Sequence, residues 1–136
     1  MTLKKEDREA LVALRMQRAK ELLAETRDIM AMGYWRTTAN RLYYACYNAV
    51  SALLLKNGHS THTHAGVITL LGLHFVTKGI ISIEQGKLYK NLFEKRQTSD
   101  YDVWIPIDEE DVKPFLEPAE KFITEIENLI NEKEIN

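Results

Sequence analysis

The sequence has 136 residues, 45% of them hydrophobic and 28% charged, the balance of an ordinary globular chain. Eighteen Lys and Arg against twenty Asp and Glu give a net charge of −2, which excludes a bulk polycation for nucleic acid. A lone cysteine, Cys46, excludes an intramolecular disulfide framework and any Cys-rich metal site. No apolar run reaches the roughly 18 residues that a membrane span needs. The start, Met1-Thr2-Leu3-Lys4-Lys5-Glu6-Asp7, lacks the apolar stretch of a signal peptide, so a reducing cytoplasmic setting is expected.

From Glu6 to Met32 there is neither Gly nor Pro, and most residues favour the helix. Val12, Met16, Ala19, Leu23 and Met30 recur at helical steps, with one turn skipped at Thr26. Leu11, Leu22 and Ile29 widen this stripe, Arg15 and Arg18 fall on the solvent side, and Gly33 is positioned as a C-terminal cap. Tyr34 to Asn57 predicts a second helix of another kind. From Leu42 to Leu55 it carries no charge, and Ala45, Ala49 and Ala52 would let a neighbour approach closely. A helix apolar on all sides is buried at the centre of a bundle or in a subunit interface.

After Asn57-Gly58 comes a polar stretch, His59 to His64, and then a short apolar helix from Ala65 to Thr77. Ile80 to Ile83 has strand-like composition, but no second strand exists to pair with it. Ser82 followed by Gln85 has the pattern of a capping box opening a fourth helix, expected to end near Ser99. Asp100 to Pro106 is expected as a loop, and Asp108 as the cap of a last helix with an acidic first turn. Pro114 and Pro118 predict a kink or an irregular start there. The expectation is an all-α, up-and-down bundle of about five helices, one domain over 1–136 with a frayed tail at 131–136.

Three groups of residues carry chemistry. Arg41, Tyr44, Asn48 and Ser51 share one face of the second helix, either as a solvated face or as a seam that needs a partner. A buried Arg there must be paired or must meet an anion. Arg96 and Asp100 stand one turn apart, followed by Tyr101. They form either a helix-end ion pair or a phosphate fork beside a stacking ring. His59, His62, His64 and His74 invite a metal reading, but alternating histidines diverge on a strand or a helix, so no metal site is expected. For His64, a capping, hydrogen-bonding or general-base role fits better. Cys46 sits mid-helix among apolar residues as a core thiol. No motif for a nucleotide, flavin or metal cofactor is present.

The run Ala39-Asn40-Arg41-Leu42-Tyr43-Tyr44-Ala45 resembles the second helix of HEPN-domain proteins. Thr63-His64-Ala65-Gly66-Val67, Phe75-Val76 and Gly79 follow in order, and Arg96-Gln97-Thr98-Ser99-Asp100-Tyr101 is similar to the family's Arg-x-x-x-Asp-Tyr ending. The resemblance implies a helical bundle that forms a homodimer with its polar motif near the dimer cleft. It also implies a minimal nucleotidyltransferase as partner, in pairs that act as toxin and antitoxin. Catalytic relatives cleave RNA without metal, using Arg, four to six residues, then His. Here Arg96 matches the Arg, while Tyr101, Asp102 and Val103 occupy the admissible His positions. The resemblance therefore implies a nucleotide- or RNA-binding form, with Arg41, Tyr44, His64, Arg96, Asp100 and Tyr101 in the cleft. Arg96 and His64 are the candidates should catalysis survive as a metal-independent ribonuclease with a substitute His. A non-catalytic dimeric adaptor is the third reading.

Overall fold

A computed structural model describes residues 3–132. Among them there is no strand, and the helices are α1 (Lys5–Ala31), α2 (Trp35–Lys56), α3 (His64–Leu71), α4 (Ile83–Tyr101), α5 (Glu109–Val112) and α6 (Leu116–Asn131). With α5 and α6 taken as one kinked helix, the all-α bundle of five that the sequence predicts is what forms. The tail expected to fray begins at Asn131, which closes α6; residues 133–136 lie outside the described residues.

α1 and α2 form an antiparallel hairpin around Gly33, whose φ of 80° suits glycine and ends α1 as expected. The buried stripe of α1 is Val12, Met16, Ala19, Leu22 and Thr26. Leu23 and Met30 lie at its edge, half-buried, so the stripe follows the i+3, i+4 row through Thr26 instead of skipping it. Thr26 is tolerated there because its hydroxyl donates to the Leu22 carbonyl at 2.7 Å.

α2 is the central helix, touching α1, α3, α4, α5 and α6. Its uncharged composition is thus explained within one chain: Leu42, Tyr43, Ala45, Cys46, Ala49, Val50, Ala52 and Leu53 are all buried. Ala45, Ala49 and Ala52 have no exposed surface, which is the close approach their size permits. α6 closes the core with Ala119, Phe122, Ile123 and Ile126.

Two boundaries differ from the sequence expectation. The third helix is α-helical only to Leu71 and continues as a π-turn, Gly72–Val76, with Thr77 N–H donating to the Gly72 carbonyl. α4 opens with the expected Ser82–Gln85 capping box but runs through Asp100 and Tyr101. Those two residues are therefore helical and not part of the loop. The extra turn is held from outside, because Asp100 is fixed by Asn40 and Arg96, and Asp102 N–H still reaches the Thr98 carbonyl. Pro114 lies in a 3₁₀ turn, Lys113–Phe115, between α5 and α6, as the prolines predict, and Pro118 falls in the first turn of α6, where its missing N–H costs little.

Candidate functional site

Polar side chains converge where the N-terminal half of α2 meets the C-terminal half of α4. Arg96 is 7% exposed, an unusual place for a guanidinium. Its Nη2 donates to the Tyr44 hydroxyl at 2.7 Å. Its Nε lies 3.2 Å from Asp100 Oδ2 but off the hydrogen-bonding line, so it makes an ionic contact and donates to nothing. The guanidinium carbon also stands 5.3 Å from the Tyr44 ring, 5.5 Å from Tyr43 and 5.8 Å from Tyr101. Burial works against this charge, yet Tyr44 and Asp100 outweigh it and hold the pKa above the usual arginine value. The i,i+4 pair with Asp100 therefore exists, but as a buried cation in an aromatic cage and not as a surface ion pair.

Asn40 joins the two arginines of the site. Its Nδ2 donates to both Asp100 oxygens at 3.1 Å, and its Oδ1 accepts from Arg41 Nη1 at 3.1 Å. Arg41, Asn40, Asp100, Arg96 and Tyr44 thus form one continuous polar chain. The remainder of the expected seam on α2 diverges from it. Asn48 donates to the Tyr44 carbonyl of its own helix, and Ser51 is buried.

His64 enters from the first turn of α3, placed by Thr63, whose hydroxyl caps the helix by accepting from Gly66 N–H at 2.9 Å. Its ring lies 4.6 Å from Tyr47 and 5.9 Å from Tyr44, and its Nδ1 is 2.7 Å from the Tyr43 hydroxyl. Tyr43 has no exposed surface, and burial pushes its pKa up to about 12. Tyr89 lies behind it, its hydroxyl 3.5 Å from that of Tyr43 and its pKa pushed well up by burial. One proton arrangement satisfies all three groups: Tyr89 O–H points to Tyr43, and Tyr43 O–H points to His64 Nδ1. The His64 proton then sits on Nε2. Burial first, and the Arg96 charge second, lower the His64 pKa, so the ring is neutral at pH 7.

Tyr101 is exposed over most of its surface, with one face on Arg96. Sequence reasoning placed Arg41, Tyr44, His64, Arg96, Asp100 and Tyr101 here, and the fold brings them together with Asn40, Tyr43, Tyr47 and Tyr89. Asn40 had a signal in its position beside Arg41. Tyr43 lay within the motif run and Tyr89 had no signal at all; both read as core, because a tyrosine on an apolar face does. The other histidines lie apart: His59 stacks on His74 at 3.8 Å with rings 10° from parallel, an arrangement whose lone pairs do not converge. Among the described residues no group of three or more His, Cys, Asp or Glu is placed to hold a metal, and no helix is long and apolar enough to cross a membrane. Cys46 is fully buried, and burial raises its pKa, so the thiolate is suppressed.

A helical bundle with an Arg–Asp–Tyr cluster at the junction of its second and fourth helices defines a HEPN-type protein. The HEPN domain model matches residues 12–129, and the chain belongs to that family. It is 36% identical over 126 residues to a UPF0332 protein of Thermotoga maritima, covering 93% of this chain and 96% of that one. It is 32% identical over 130 residues to a Methanocaldococcus jannaschii protein named "Putative toxin MJ0605", covering 96% of both. Among solved structures, TT1696 from Thermus thermophilus superposes with a TM-score of 0.73 at 15% identity, over 86% of this chain and 96% of that one. At that identity the likeness speaks for the fold alone.

Proposed function

We propose that this HEPN protein is a homodimeric binding module for RNA or a nucleotide, working in a two-gene toxin–antitoxin system with a minimal nucleotidyltransferase. The observation that carries the ligand reading is the buried Arg96. A guanidinium taken out of water is costly unless something anionic meets it, and a single carboxylate off the hydrogen-bonding line leaves its fork incompletely used. Phosphate fits such a fork, and Tyr101 and Tyr44 beside it offer a ring for a base and a hydroxyl for a ribose or phosphate oxygen. The toxin names among the relatives support the two-gene reading.

Binding without cleavage follows from the proton arrangement. Tyr101, a phenol where the catalytic pattern calls for an imidazole, fills the first position open to a catalytic His. His64, the substitute, is engaged at Nδ1 by the Tyr43 hydroxyl. Arg96→Ala is expected to weaken binding of a fluorescein-labelled single-stranded RNA at least roughly tenfold, as loss of a charged hydrogen-bonding partner does. Helical circular dichroism should stay unchanged. Equal anisotropy titrations for the two proteins would overturn the site. The same RNA, incubated with the wild type in EDTA, should remain full-length; fragments absent from the Arg96→Ala sample would make the protein a ribonuclease.

A further inference from the structure

The connection from α2 to α3, residues 59–63, doubles back along the helix it leads into. Its first residue, His59, lies against His74, which is beyond the C-terminal end of α3. Thr61 lies against Gly66 in the first turn of α3, where its hydroxyl fills the space a Cβ would take. From His64 to His74 the helical rise is about 15 Å, and five extended residues reach about 17 Å. The connection is therefore a strap along the flank of α3, its sequence running opposite to the helix. Its start is fixed by Gly58, at a φ of 82°, and by His59 N–H, which donates to the Leu54 carbonyl at 2.9 Å. Its end is the cap that places His64: Thr63 N–H donates to Thr61 Oγ1 at 3.4 Å, and Thr63 Oγ1 accepts from Gly66 N–H.

What joins the strap to the far end of its helix is the stack of two partly buried imidazoles, 3.8 Å apart and 10° from parallel. His74 sits at the centre of the π-turn Gly72–Val76, a rare local geometry that recurs at functional sites. Neutral rings stack well, but two imidazolium ions at that separation repel. The charges nearby make this worse or leave it unchanged. Lys78, just after the π-turn, adds a third cation beside His59. Lys56 at the end of α2 is taken up by the last carbonyls of α6, and α3 carries no titratable group besides His64. His62 on the strap, and Glu84 and Lys87 at the start of α4, are exposed. Among the described residues no carboxylate forms an ion pair with either ring to offset the repulsion.

We propose that the His59–His74 stack is a pH-sensitive latch: as the two imidazoles gain protons the rings part, the strap lifts from α3, and the Thr63 cap that sets His64 against Tyr43 opens with it. The latch acts on the position of His64 and depends on neither the RNA reading nor the homodimer. Its sign follows from linkage. Stacking favours the neutral rings, so the released strap binds more protons, and opening is suppressed above about pH 6.5 and grows as pH falls. The two rings titrate as a coupled pair.

Amide hydrogen exchange of the full, ligand-free chain tests it, with rates expressed as protection factors so that the intrinsic pH dependence of exchange is removed. Protection of Gly66 N–H should fall roughly three- to tenfold between about pH 7.5 and 5.5, while Val50, in the core of α2, stays far better protected throughout. His74→Phe keeps a flat ring in the stack but takes no proton, so Gly66 protection should there hold within about twofold over the same range. His59→Phe repeats the test from the other side of the stack should that variant fold poorly. His64→Gln leaves the pair in place and should keep the fall. Unchanged Gly66 protection in the wild type, or a fall that survives in both Phe variants, overturns the latch. So does loss of the fall in His64→Gln, which would assign the response to His64 itself. Exchange of Gly66 in step with Val50 would mean that the strap opens only with global unfolding, and would overturn it as well.

Discussion

His64 shows most directly how burial sets chemistry in this protein. An unperturbed imidazole titrates near 6.5, where it could serve as either acid or base. Here desolvation and the Arg96 charge both disfavour the imidazolium, and Tyr43 occupies the nitrogen that would otherwise accept a proton. His59 is shifted the same way, by burial first and then by His74 and Lys78. A folded-state pKa below the unfolded value means that the unfolded chain binds more protons across the window between them. The contribution of both groups to stability is therefore full above about pH 6.5 and is lost as pH falls through their folded-state values. The urea midpoint should drop between about pH 7 and 5.5, before the carboxylates titrate. His64→Gln should flatten that drop, since only His59 of the shifted pair remains. An unchanged pH dependence in this variant would mean that His64 titrates as if it were free in water.

At the scale of the helices, what places the site is a set of end signals. Most were legible in the sequence: Gly33 and Gly58 as terminators, Ser82–Gln85 as a capping box and Pro114 as a break each form as their chemistry demands. The end of α4 was not legible, because no residue within Ser99-Asp100-Tyr101 favours continuing the helix. The support comes from Asn40 and Arg36, about sixty residues earlier in the chain, and such long-range contacts leave no local pattern. The π-turn at Gly72–Val76 was not legible either. The start of α3 gives the sharpest test of how an element positions a functional group. A Cβ on Gly66 would fall onto Thr61 Oγ1 and within 2.8 Å of Thr63 Oγ1, the cap that sets His64 in place. Relief would move Thr63 off the Gly66 N–H or shift the whole first turn. Gly66→Ala, ordinarily favourable inside a helix, should therefore cost about 1–3 kcal/mol by urea denaturation. The His64 ring resonances should shift with it.

For the molecule as a whole, the decisive contrast is between a net charge of −2 and a site holding two arginines. Composition spoke against bulk electrostatic binding, and the fold keeps that conclusion while concentrating cationic charge at the α2–α4 junction. The residues of this cluster were readable because they sit in motif order; their burial was not, since Arg96 and Asp100 look like any exposed i,i+4 pair until α2 is laid across them. The Tyr43–Tyr89 support was invisible for a related reason, as nothing in one helix announces a hydroxyl waiting on the next. This layout has a measurable consequence for the proposed RNA binding. Affinity that comes from spread positive charge falls steeply with salt, while affinity from one local fork falls gently. On single strands each neutralised phosphate contributes about −0.7 to the slope of log K against log salt. With Arg96 and Arg41 each meeting one phosphate, the slope should be about −1.4 per site, and Arg96→Ala should bring it to about −0.7. Titrations by fluorescence anisotropy from about 50 to 200 mM salt cover the range in which this is read. A slope steeper than about −4 would place the RNA on the lysines and arginines of the outer helices, and the Arg96 cage would then have to be explained by packing alone.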